Sequence, residues 1–162
     1  MLSFLKEEGV SPELLVELER FRKEYPAELL ERIPVPQFRY YGREVWEQAA
    51  AALLCGKNLL LTGDKATGKN VLAENLAAVF GRPAWNVSFH VNLDASGLVG
   101  TDTFTEGQVR FRPGPVYQCA QHGGFGILDE INMAKNEALA VLHAVLDFRR
   151  VLDIPGYDRL PM

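Results

Sequence analysis

The segment Gly63-Asp64-Lys65-Ala66-Thr67-Gly68-Lys69-Asn70 fills every defining position of the pattern G-x-x-x-x-G-K. Glycines at that spacing let a short loop turn its backbone N–H groups inward, and a helix beginning at the lysine adds its own unpaired N–H groups. Such a loop grips the β-phosphate of a nucleotide, with Lys69 reaching the β- and γ-oxygens and Val71 in the first helical turn beside them. Where the pattern usually carries Ser or Thr the chain has Asn70, whose amide oxygen could ligate Mg²⁺ but which lacks the small hydroxyl. A second signal lies downstream. Gly126-Ile127-Leu128-Asp129-Glu130 is an apolar run ending in two adjacent carboxylates, a pair in which one holds Mg²⁺ and the other positions an attacking water. Taken alone, that run also fits a strand ending in a solvated acidic turn. At the C-terminal edge of a parallel sheet both carboxylates would lie beside a phosphate loop.

These groups need a scaffold, and the flanking patterns supply one. Residues 58–62 are continuously apolar without alternation, which predicts a strand covered on both faces of a parallel sheet. From Lys69 the residues Leu72, Leu76, Val79 and Phe80 share one helical face, and Gly81 ends the helix at Phe80. Upstream, Trp46, Ala49, Ala50, Leu53 and Leu54 predict a helix over 43–55 closed by Gly56. A further strand is expected over 84–90. Nearer the N-terminus, Ser11-Pro12 is a cap with proline in the first turn of a helix that Pro26 stops. A shorter helix is expected over 26–32, and Pro34 and Pro36 force an extended linker. The charges on the first of these helices read as a solvated face rather than a partner surface. Downstream, Gly97, Gly100 and Gly107 are turn signals, with Glu106-Gly107 turning a small hairpin. A helix over 134–148 follows, its C-terminal dipole answered by Arg149 and Arg150, then a hairpin over 151–160 turned at Pro155-Gly156.

Composition bounds the partners. The 162 residues are 48% hydrophobic and 23% charged, with 17 Lys+Arg against 21 Asp+Glu and a net charge of -4. That balance excludes disorder and a disulfide mini-scaffold, and it argues against a broad electrostatic footprint for nucleic acid or an anionic membrane. No apolar run approaches the ~20 residues of a bilayer span, and the first residues lack a basic leader, so a cytoplasmic protein without membrane contact is expected. Cys55 and Cys119 read as two reduced, packed thiols. His90, His122 and His143 show no metal-ligand spacing, so no zinc site is expected. Arg110 and Arg112 flank Phe111 and fit an insert surface or subunit contact better than a nucleic-acid face.

The run Asp129-Glu130-Ile131-Asn132-Met133-Ala134 with the helix after it, and Phe111-Arg112-Pro113-Gly114-Pro115-Val116 before it, resemble the MoxR branch of the AAA+ ATPases. The resemblance covers about 38 to the end. It implies an α/β fold: a three-layer P-loop NTPase core over 37–162 with a mainly parallel sheet, interrupted by an insert over about 93–116 and preceded by N-terminal helices and a linker over 1–36. It implies ATP and Mg²⁺ as ligands, Gly63 to Asn70 holding the phosphates, Asp129 the metal and Glu130 the hydrolytic water, with the base pocket beginning at Tyr41-Gly42. It also implies a ring of neighbouring subunits and a client protein that the ring remodels or activates. A strand carrying a polar sensor, an arginine finger and a helical lid are absent after Met162, and the sensor strand belongs between the phosphate-loop strand and the Asp129 strand. The expectation is a core incomplete at its C-terminus, as a fragment, a split protein completed by a partner, or a sheet with altered strand order. Two rival readings stand beside ATP hydrolysis: a non-hydrolysing nucleotide-binding or assembly module, and a P-loop kinase for a small substrate.

Overall fold

The computed structural model describes residues 1–154, 156–157 and 159–161. They form two compact units, Met1–Pro83 and the residues from Ala84 onward. Each is taken by itself.

The first unit is helical. Helices α1 (Leu2–Glu7) and α2 (Pro12–Glu24) pack with α3 (Arg43–Leu54) and α4 (Lys69–Phe80). Ser11 Oγ accepts the Leu14 N–H at 3.3 Å, so the expected cap starts α2. Leu18, Trp46, Leu72, Leu76, Val79 and Phe80 are buried, and Phe21 meets Phe80 edge-on at 5.2 Å. Two arginines stitch α2 and its end to the region of α4: Arg22 donates to the Val79 carbonyl at 3.5 Å and Arg82 to the Tyr25 carbonyl at 2.9 Å. Helix α3 ends in a Schellman pair, Gly56 N–H to Leu53 O at 2.9 Å and Lys57 N–H to Ala52 O at 2.9 Å, with Gly56 at φ +66°. The helix expected over 26–32 is reduced to the 3-10 turn Leu30–Arg32. Pro26, Pro34 and Pro36 bracket a stretch too short to propagate a helical nucleus.

The strand expected over 58–62 does not form. Its unit contains no other strand, so the run has no ladder to join, and Leu60 is 78% exposed rather than covered. The apolar run Leu59-Leu60-Leu61 permits a strand; only a partner makes one.

In the second unit β1 (Ala84–Ser88) pairs in parallel with β4 (Phe125–Asp129), Ala84 opposite Phe125 and Ser88 opposite Asp129. The connection between them holds α5 (Ala95–Val99), the antiparallel hairpin β2 (Gly100–Thr105) and β3 (Gln108–Pro113), and α6 (Pro115–His122). Glu106 and Gly107 turn this hairpin as expected, both at positive φ (+55° and +77°), as a two-residue turn of the right twist requires. Gly97 is a correction: it lies inside α5, with its N–H on the Asp94 carboxylate at 2.9 Å. Trp85 is buried on β1 and donates Nε1–H to Gln118 Oε1 at 3.0 Å, fixing α6 on the sheet. After β4 come α7 (Asn136–Leu146) and the antiparallel pair β5 (Val151–Asp153) and β6 (Arg159–Pro161). The core is Val87, Phe89, Leu98, Val116, Leu142 and Val145 with their neighbours. Of the expected turn, Gly156 is at φ +82° and Pro155 lies outside the described residues. Helix α7 is shorter than the expected 134–148, and Arg149 closes on the Asp147 carboxylate (Nε to Oδ2, 2.8 Å) rather than on the helix terminus. Cys55 is exposed and Cys119 buried, both free thiols, so only one of the two is packed.

Candidate functional site: a phosphate loop and a carboxylate pair

Residues 63–69 form the loop in the first unit. Gly63 (φ +144°), Ala66 (φ +64°) and Gly68 (φ +84°) take positive φ, which bends the chain back over the start of α4. Two of the three are glycine, where that conformation carries no Cβ penalty. Thr67 Oγ1 donates to the Asp64 carbonyl at 2.9 Å and closes the loop. The cap residue of α4 is Gly68, which has no side chain to bond the first turn. The Lys69 ammonium folds onto the loop, donating to the Gly63 carbonyl at 2.9 Å and the Asp64 carbonyl at 2.6 Å. A cation bonded to neutral carbonyls, at a helix start whose cap is a half-buried glycine, fits a phosphate group. Lys65, Asn70 and Val71 flank this cradle, Lys65 and Asn70 exposed and Val71 half-buried.

Tyr41-Gly42 lies in the same unit. Tyr41 is 68% exposed and meets Phe4 edge-on at 5.3 Å, while the Gly42 N–H donates to Glu8 Oε2 at 3.2 Å. Tyr40, which the sequence reading passed over, is the nearer neighbour of the loop: a Cβ placed on Gly68 would lie 3.5 Å from its ring. Its carbonyl accepts Trp46 Nε1–H at 2.9 Å. Also missed was Asn75, fully buried on α4, which donates to the Phe38 and Val71 carbonyls at 2.9 and 2.7 Å. One signal pointed to it: a lone amide on the apolar face of Leu72, Leu76 and Val79.

The carboxylate pair belongs to the second unit. Asp129 ends β4 half-buried, and Glu130 follows it exposed, in the left-handed region at φ +53°. Glu130 N–H donates to Asp129 Oδ1 at 2.9 Å, and the 3-10 turn Ile131–Met133 carries the chain away. A non-glycine residue held in that region marks a local strain at the strand end. Their oxygens suit a hard cation such as Mg²⁺, which completes its shell with water and phosphate oxygens rather than with a full protein cage.

No helix is long and apolar enough to cross a membrane among the described residues. The uncharacterised protein YojN of Bacillus subtilis is 42% identical over 111 residues, 66% of this chain and 36% of that protein. Uncharacterised proteins of Staphylococcus haemolyticus and Staphylococcus saprophyticus are 41% and 38% identical, covering 74% and 72% of this chain and 47% of each relative. The chain thus spans less than half the length of these curated relatives. Residues 58–161, which hold both the phosphate loop and the carboxylate pair, match the AAA domain of the dynein-related subfamily, and the chain belongs to that family.

Proposed function

We propose that the chain is the nucleotide-binding part of a MoxR-like AAA+ ATPase, with ATP as substrate and Mg²⁺ as cofactor. The observation that carries this reading is the loop 63–69, closed by Thr67 and Lys69 over an uncapped helix. In this reading Gly63, Asp64, Lys65, Ala66, Thr67, Gly68, Asn70 and Val71 surround the phosphates through backbone N–H groups, and Lys69 exchanges its loop carbonyls for β- and γ-oxygens. Asp129 is the candidate metal residue of the second unit and Asn70 that of the first, and Glu130 orients the attacking water. Bound there, Mg²⁺ neutralises charge developing on the transferring phosphoryl group. Tyr41 and Gly42 begin the base side. The architecture proposed for the complete family domain is a three-layer α/β core with a mainly parallel sheet. Neighbouring subunits in a ring, a client protein to remodel and a cytoplasmic setting complete the proposal.

Calorimetric titration of ATP into the chain, with and without Mg²⁺ and with Lys69→Ala as control, tests it. Saturable binding lost in the variant, with turnover rising with protein concentration, is the expected result. Binding without turnover at any concentration would transfer the reading to a non-hydrolysing assembly module, and phosphoryl transfer to a hydroxyl acceptor in place of water to a small-molecule kinase. Absence of binding to the folded chain would refute the reading.

A further inference from the structure

We infer that Asn75 is a positioning residue that fixes the run Phe38–Gly42 as the base-side wall of the phosphate loop; the inference rests on the nucleotide-binding reading and names a determinant it lacks. Among the described residues Asn75 is the buried polar side chain, at 0% exposure. Its amide spans 37 positions of sequence to donate to the Phe38 carbonyl at 2.9 Å, and also donates to the Val71 carbonyl one helical turn back at 2.7 Å. A buried amide on an apolar helix face costs desolvation that a leucine would not, unless its bonds are needed.

Those bonds hold one end of a regularly tied run. At alternate residues the backbone is fixed by a different element: the Phe38 carbonyl by Asn75 of α4, the Tyr40 carbonyl by Trp46 of α3, and the Gly42 N–H by Glu8 after α1. The run is therefore pinned to three helices, and Tyr40 lays its ring against Gly68, the cap residue of the phosphate-loop helix. Asn75 sits on that helix too, so the wall and the loop share one rigid support. The Tyr40 ring stands 3.5 Å from where a Cβ on Gly68 would lie, beside the loop rather than in it, so what the wall orients is the rest of a bound nucleotide. It does not touch the phosphates through Asn75.

The test compares ATP with inorganic tripolyphosphate, titrated into the chain and into Asn75→Leu, a near-isosteric change that removes both donors. The expected result is an ATP affinity about 10-fold weaker with tripolyphosphate affinity unchanged, so that the preference for the nucleoside over the bare phosphate chain falls. Equal weakening of both, or no change in either, overturns the inference, since a purely structural role would not separate the two ligands. If Asn75→Leu does not fold, Tyr40→Leu, which removes the ring from Gly68 and leaves α4 intact, must give the same separation or the inference fails. A parent chain that binds neither ligand refutes the nucleotide-binding reading itself, and the inference with it. A parent that binds both equally overturns the inference alone.

Discussion

Replacing Lys69 with alanine isolates the electrostatic part of the phosphate grip. Without ligand the ammonium bonds to two exposed neutral carbonyls, of Gly63 and Asp64, which water can satisfy equally well once the lysine is gone. Folding stability should therefore change by no more than about 0.5 kcal/mol. Binding is different. A phosphate replaces those neutral acceptors with anionic oxygens, and a charge-assisted bond is worth roughly 1.5–3 kcal/mol, or about 10- to 150-fold in Kd. Thermal denaturation gives a second reading. ATP at about 100 times the parent Kd stabilises by about 2.7 kcal/mol, and if the variant binds about 100-fold more weakly, the same concentration gives about 0.4 kcal/mol. Calorimetry for Kd and melting with and without ATP should agree. A variant whose Kd lies within about 3-fold of the parent, with melting unchanged, would refute the assignment of Lys69 to the phosphates.

Glu130→Gln keeps the size and the left-handed turn but removes the charge that orients water, so ATP affinity should persist while single-turnover hydrolysis falls by about 10²-fold or more; equal turnover removes Glu130 from the chemistry. Gly114→Ala would place a Cβ 2.4 Å from the Leu98 carbonyl oxygen and 2.9 Å from the Gly100 nitrogen, all backbone, so the hairpin base must shift at a cost of about 1–3 kcal/mol, read as a lower denaturant midpoint. Gly107→Ala meets nothing within 4 Å and is strained only by its φ of +77°, which predicts the smaller loss of about 1 kcal/mol. Glu47 is held below the usual carboxylate range, first by the Arg43 side chain and then by the Ser11 N–H. Its contribution is thus present above the unfolded-state value of about 4.3 and lost as pH falls through the lower folded value. Glu47→Gln should flatten the pH dependence of the melting midpoint in that acid window and leave its slope near neutrality unchanged.

What the sequence disclosed divides by range of interaction. Helix α4 runs from Lys69 to Phe80 as its pattern indicates, because Gly68 and Gly81, both in the left-handed region, delimit it locally. The Glu106-Gly107 turn and the Ser11 cap are likewise decided within four residues. Helix α6 carries local signals in Pro115 at its start and Gly123 at its end, but the insert expected over about 93–116 takes in its first two residues and no element is expected over the rest. Residues 58–62 failed for the opposite reason: their conformation depends on a neighbouring strand, which no pattern inside the run can supply. The same division holds at the site. Loop residues could be named from spacing, whereas the ties of Asn75 to Phe38 and Glu8 to Gly42 join positions more than thirty apart, and neither follows a motif.

That 58–62 joins no ladder while the loop after it is fully shaped separates two things usually taken together. A phosphate loop is commonly described as the link between a strand and a helix. Here the shape is carried by the C-terminal side: Thr67 bonds to Asp64, Lys69 to Gly63 and Asp64, and Gly68 starts α4, all within the residues 63–69. The helix is in turn held by Leu72, Leu76 and Phe80 in the helical core and by Asn75 on the run before α3. In the proposed reading phosphate affinity therefore depends on α4 and the apolar packing of Leu72, Leu76 and Phe80, and residues 58–62 enter through Gly63. The proposed hydrolysis has the contrary dependence, because Asp129 and Glu130 stand at the end of β4, whose register against β1 fixes where the strand stops. On the proposed reading, loss of the β1–β4 register would therefore abolish turnover before it weakened phosphate binding.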